Sequence, residues 1–69
     1  MHIIYTEHAK ERLKKRKITQ EEIELALKYP DITIKEGEKY IVRKNIGRAN
    51  IEVVYEKDRY IKVVTIYYI

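Results

Sequence analysis

The hydrophobic period of this chain changes once, at Pro30-Asp31, and that change constrains the fold more than any other feature of the sequence. Before it, apolar residues recur at helical spacing. After it, they alternate in twos among β-branched and aromatic residues. With only 69 residues, both halves must share one core, because burial at this size barely offsets the entropy of ordering the chain. The expected architecture is therefore α+β, a single domain over residues 1–69. A short N-terminal strand and two helices should precede a three- to four-stranded antiparallel meander, with the helices on one sheet face.

Local chemistry places the elements. Met1 to Tyr5 is short and β-prone. Thr6 then caps a first helix that runs through His8, Ala9, Arg12, Leu13 and Arg16 to about Lys17. Thr19-Gln20-Glu21-Glu22 has the spacing of a capping box, so a second helix starts there and ends at Tyr29, before Pro30. Its apolar face is Ile23, Ala26 and Leu27. Leu25 lies about 160° from Leu27 and is expected to be half exposed or to touch a partner. Strands are expected over Ile32 to Lys35, Tyr40 to Ile46, Ile51 to Glu56 and Tyr60 to Tyr68. The breaks carry turn chemistry at Glu36-Gly37-Glu38, Asn45-Ile46-Gly47-Arg48 and Lys57-Asp58-Arg59. Ile61 to Ile66 is apolar on nearly every residue, as an interior strand should be.

Charge is distributed unevenly. Lys and Arg number 15 against 11 Asp and Glu, yet residues 19–69 hold 9 of each. The whole excess of +4 falls in residues 1–18, where Lys10, Arg12, Lys14, Lys15, Arg16 and Lys17 outnumber Glu7 and Glu11. A short segment of that kind is the footprint of a polyanion-binding surface, or else of a solvated basic helix. Cysteine is absent, which excludes disulfides, zinc-thiolate sites and thiol nucleophiles, and the absence of serine excludes serine-hydrolase triads. His2 and His8 lack the spacing of a helical ligand pair and no acidic cluster complements them, so neither a metal nor another cofactor is expected. No apolar run suits a membrane span or a signal peptide, which points to a soluble cytoplasmic protein. The abundance of Lys, Glu, Ile and Tyr leans toward a thermophile's composition.

The first helix carries the candidate chemistry. At about 100° per residue from Ala9, Leu13 lies near 40°, Arg16 near 340°, Arg12 near 300° and His8 near 260°. Two arginines thus flank the apolar seam, where their guanidinium groups need a ligand phosphate or an internal acid; Asp31 or Glu22 would serve Arg16. His8 lies one turn before Arg12. An imidazole beside fixed positive charge is a pairing that phosphodiester chemistry uses. Among the 7 tyrosines, Tyr67 and Tyr68 must point to opposite faces of the last strand. Tyrosine on an open face can stack a base, with Arg43 and Lys44 near phosphate, or can simply cover the sheet.

Taken together, several segments resemble a known family: Tyr5-Thr6-Glu7-His8-Ala9-Lys10-Glu11-Arg12, Arg16-Lys17-Ile18, Tyr29-Pro30-Asp31, Arg43-Lys44-Asn45-Ile46-Gly47, Val53-Val54-Tyr55 and Val63-Val64-Thr65. The chain is similar, nearly end to end, to small uncharacterised bacterial and archaeal proteins grouped by fold with the RelE/ParE toxin superfamily. BrnT toxins share the same helix-then-meander plan. The resemblance implies a RelE-like domain acting as a metal-independent ribonuclease of a toxin–antitoxin pair, with ribosome-bound or free RNA as substrate and a small antitoxin protein as partner. It implies His8 as base or acid, Arg12, Arg16 and Arg43 as phosphate ligands, and Tyr67 as a base-positioning or proton-donating group. Lys15, Lys44 and Thr65 are expected to contact the substrate. The alternative is a non-enzymatic module that binds RNA or protein through the basic helix, with His8 incidental.

Overall fold

A computed structural model describes residues 2–69, so Met1 of the expected first strand lies outside the described residues. The elements run β1 (Ile3–Tyr5), α1 (Glu7–Arg16), α2 (Gln20–Lys28), β2 (Ile32–Glu36), β3 (Lys39–Asn45), β4 (Asn50–Lys57) and β5 (Ile61–Tyr68). Strands β2 to β5 form the expected antiparallel meander. β1 adds to its far edge, parallel to β5, giving a mixed sheet in the order β1-β5-β4-β3-β2.

Each helix begins and ends for a chemical reason. Thr6 Oγ1 accepts the Ala9 N–H at 3.0 Å, and its replacement by Ala would cost about 1 kcal/mol. α1 stops because Lys17 turns left-handed, φ +54°. The Ile18 N–H then returns to the Leu13 carbonyl at 3.0 Å and that of Lys17 to Lys14 at 3.4 Å, while the Ile18 and Leu13 side chains are both buried. That pattern is a Schellman closure, with lysine where glycine usually sits. α2 opens on a complete capping box: Thr19 Oγ1 accepts from Glu22 N–H at 3.1 Å and Glu22 Oε1 from Thr19 N–H at 3.0 Å. In the first hairpin, Gly37 holds φ +64° at the leading loop position, a geometry that a Cβ would strain.

Ala9, Leu13, Ile18, Ile23 and Ala26 pack against Val42, Ile51, Val53, Tyr55, Val63 and Ile66, so both helices lie on one face. Ile23 is fully buried, and truncation to Ala there would cost about 2–5 kcal/mol. Leu25 points away, half exposed. The last strand carries one irregularity. Val54 pairs with Thr65 and Tyr55 with Val63, so Val64 is an extra residue in β5. The bulge shifts the alternation: Val63, Ile66 and Tyr68 share the helix side, whereas Thr65 and Tyr67 turn to the open face.

Candidate nucleic-acid interface

β1 ends at Tyr5, opposite Val63, and leaves the rest of the β5 edge without a strand partner. α1 takes its place. Thr6 N–H donates to the Val63 carbonyl at 3.1 Å, Thr6 Oγ1 to that of Val64 at 3.1 Å, and Arg16 Nη1 to that of Ile66 at 3.2 Å. An edge carbonyl otherwise left open is thereby satisfied by side chains of the helix. The same placement brings one flank of α1 round the edge of β5 to the side on which the bulge presents Thr65 and Tyr67.

At this seam, His8 Nε2 lies 3.1 Å from Thr65 Oγ1 and 3.4 Å from Arg12 Nε. Arginine can only donate, so Nε2 is the acceptor and its lone pair faces two donors. The Arg16 guanidinium lies 5.8 Å over the Tyr67 ring. Arg12 and Arg16 are half-buried, as the helical wheel requires, while His8 and Lys15 are exposed. Lys15 lies one turn beyond Arg12 on the same flank. Five residues chosen from the sequence, His8, Arg12, Arg16, Thr65 and Tyr67, therefore converge although 57 positions separate His8 from Thr65.

A family model described as "Domain of unknown function (DUF4258)" matches residues 5–68, which includes every residue of this seam. The chain belongs to that family. No curated protein and no solved structure matches it significantly.

In this DUF4258 domain most cations of the seam have no acid partner. Among the described residues, Arg12, Lys14, Lys15, Arg16 and Lys17 have no carboxylate within ion-pairing distance; of the α1 cations only Lys10 reaches one, exposed Glu7 at 3.6 Å. Of the three arginines of the sheet and its loops, Arg43 and Arg48 are neutralised by acids, and Arg59 is in no ion pair among the described residues. Arg43 lies on the open face in one cross-strand row with Glu52 and Tyr67, and its Nε sits 2.9 Å from Glu52. Lys44 points to the helix side and pairs with Asp31 at 3.4 Å. The pleat thus splits the two basic residues expected to meet phosphate together. Asp31 is held below its ordinary range, first by the Asn45 N–H and then by Lys44. Of the strand tyrosines, Tyr67 alone is on the open face: Tyr5, Tyr55 and Tyr68 share the side of Val63 and Ile66, and Tyr40 stacks on Tyr55 at 5.2 Å.

Arg48 was not among the residues the sequence singled out. Its Nε and Nη2 donate to the two Glu22 oxygens at 3.0 and 2.9 Å, Nη2 also to the Lys17 carbonyl at 3.0 Å, and Nη1 to Tyr68 Oη at 3.0 Å. Tyr68 in turn donates to the Arg16 carbonyl at 2.6 Å. Glu22 therefore serves Arg48 and not Arg16, and its carboxyl is held below the usual range chiefly by Arg48, then by the Thr19 N–H. Nothing in the local sequence marks a loop arginine for this role. A surface groove of about 520 Å³ lies apart from the seam between the Gly37-Glu38 and Lys57–Tyr60 turns, and its lining mixes Lys35 and Lys62 with Glu56 and Asp58.

Proposed function

We propose that this domain binds RNA phosphate along the outer flank of α1 and cleaves the strand without a metal ion, through attack of a ribose 2′-hydroxyl on the adjacent phosphorus. The observation that carries the reading is His8, whose Nε2 is set as an acceptor between Thr65 and Arg12 on a surface of acid-free cations. His8 takes the 2′ proton on Nε2 once Arg12 turns its Nε to the phosphate and Thr65 turns its hydroxyl proton away. The 2′ oxygen forms its bond to phosphorus as the bond to the 5′ oxygen breaks, and the Tyr67 hydroxyl supplies the proton that the leaving oxygen needs. The products are a 2′,3′-cyclic phosphate and a 5′-hydroxyl. Arg12, Lys15 and Arg16 stabilise the charge gathering on phosphorus, and Thr65 orients the imidazole. Arg43 joins only where RNA displaces Glu52, and Lys44, on the other face, takes no part.

The strand, two helices and meander agree with the plan that the RelE/ParE resemblance implies. That agreement supports a toxin of a toxin–antitoxin pair acting on cytoplasmic RNA, ribosome-bound or free, with a small antitoxin protein as partner. One observation favours the second reading, a non-enzymatic RNA-binding module: the Arg16 guanidinium is already engaged by the Ile66 carbonyl and the Tyr67 ring.

The test compares wild type with His8→Ala on free and ribosome-bound RNA, scoring strand breaks and their cyclic-phosphate ends. Loss of cleavage by at least about 100-fold with RNA affinity nearly unchanged is expected, because a proton-transfer group acts mainly in the transition state. A chelator should leave the rate as it is. Equal cleavage by His8→Ala removes His8 from the chemistry. Binding without cleavage by wild type leaves the module, and no binding at low salt ends both readings.

A further inference from the structure

The two edges of the sheet are treated differently. β1 has only three residues and is followed directly by the helix that covers what remains of the β5 edge. β2 has five residues, all of them exposed, and packs on β3 with no helix over it. It contains no proline and no bulge, and its one lysine, Lys35, is drawn over the Tyr40 ring at 5.6 Å. On the open face Ile32 and Ile34 are 50% and 39% exposed; Ile34 continues an apolar row through Ile41 and Val54, and Ile32 lies beside Arg43. Natural edge strands are shortened, charged, bulged or covered. β2 carries charge only at its C-terminal end, on Lys35 and Glu36, and is neither bulged nor covered.

We propose that two copies of this chain pair through β2, antiparallel and edge to edge, about a two-fold axis at Thr33. A two-fold normal to the sheet keeps like faces together, so the axis must pass through a residue and only three registers engage the middle of the strand. Centred on Lys35, the pairing sets Lys35 against its own copy and Ile34 against Glu36. Centred on Ile34, it sets Ile32 against Glu36. Centred on Thr33, it places Ile32 opposite the second copy's Ile34, Thr33 opposite Thr33, and Asp31 opposite Lys35. Only the last register matches apolar with apolar and acid with base, and directly opposed like charges disfavour the first. The isoleucine rows of the two copies then join into one stripe on the open face.

The α1 seam lies across the sheet from β2 and stays free in this arrangement, so the pairing stands or falls separately from the RNA reading. A five-residue ladder belongs to the small interfaces, under about 1,200 Å² in total, and the dimer is therefore reversible.

Because the chain has no cysteine, a single introduced thiol reports the register. Thr33→Cys puts two thiols across the axis with Cβ atoms about 5 Å apart, and mild oxidation should link them. Lys35→Cys puts them four residues apart along the ladder, about 13 Å, and should link at least about tenfold more slowly. Sedimentation equilibrium of the wild type should show a monomer–dimer equilibrium. Thr33→Arg, which sets guanidinium against guanidinium at an exposed position, should weaken it at least about tenfold while circular dichroism stays native. Equal linking at both cysteines overturns the register. A wild type that remains monomeric up to roughly 1 mM overturns the pairing altogether.

Discussion

Arg48 is exposed and Arg12 half-buried, and the surroundings of the two differ in kind. Every donor direction that matters on Arg48 ends on protein: two carboxylate oxygens, a carbonyl and a phenol. It ties the β3–β4 loop to the junction of the two helices. Arg12 has only a long contact to a histidine, and of the α1 cations around it only Lys10 reaches an acid. A guanidinium supplied with acceptors is a fastening; one without them is open to a ligand. Residue type was the same in both places, and the supply of partners made the difference.

The contrast can be broken most directly from its open side. Replacing Arg12 and Lys15 together by Ala should weaken RNA binding at least tenfold and flatten the salt dependence by about 1.4 in log–log slope, two phosphate contacts on a single strand. Melting temperature should hardly move; a fall as large as that of Arg48→Ala would make the flank structural. Arg48→Ala should do the reverse, lowering the melting temperature while RNA affinity and its salt slope persist.

Acid sharpens the same contrast. Glu22 is held below its ordinary 4.5 in the fold by Arg48 and is released to that value on unfolding. The stabilisation is thus present above about pH 4.5 and is lost as pH falls toward the folded value. In Arg48→Ala the acid limb of a stability–pH curve should be shallower, and an unchanged limb would remove Arg48 as the cause. The smallest effect belongs to Lys17, whose carbonyl serves Arg48 while its own charge is unpaired. Lys17→Gly should stabilise by about 0.5–1 kcal/mol in denaturant titrations by relieving a left-handed lysine, and should cost a little RNA affinity.

Much of the fold was legible because its causes are local. Thr6, the Thr19–Glu22 box, Pro30 and Gly37 each act within a few residues, and they bounded the helices and the first hairpin. The flank of α1 was legible too, since a helix fixes angles. What escaped depends on distant partners. Three residues of β1 carry no sign of whether they will pair or with which strand, and the parallel addition to β5 is a tertiary outcome. Arg48 needed the loop, both helices and Tyr68 in place before its role existed. The separation of Arg43 from Lys44 was different: strict alternation of adjacent strand residues already implied it.

Val64 gives β5 a change of phase in mid-strand. Up to Val63 the inward residues are odd-numbered, and from Ile66 they are even-numbered. Deleting Val64 would restore a regular beat and leave every downstream side chain on its present side, Thr65 and Tyr67 on the open face and Ile66 in the apolar layer, at the loss of the extra bend that a bulge gives the strand. Substitution of the same residue alters one side chain and keeps the count. The strand consequently reads as two short words in different frames, joined by one letter whose loss would bring both into a single frame.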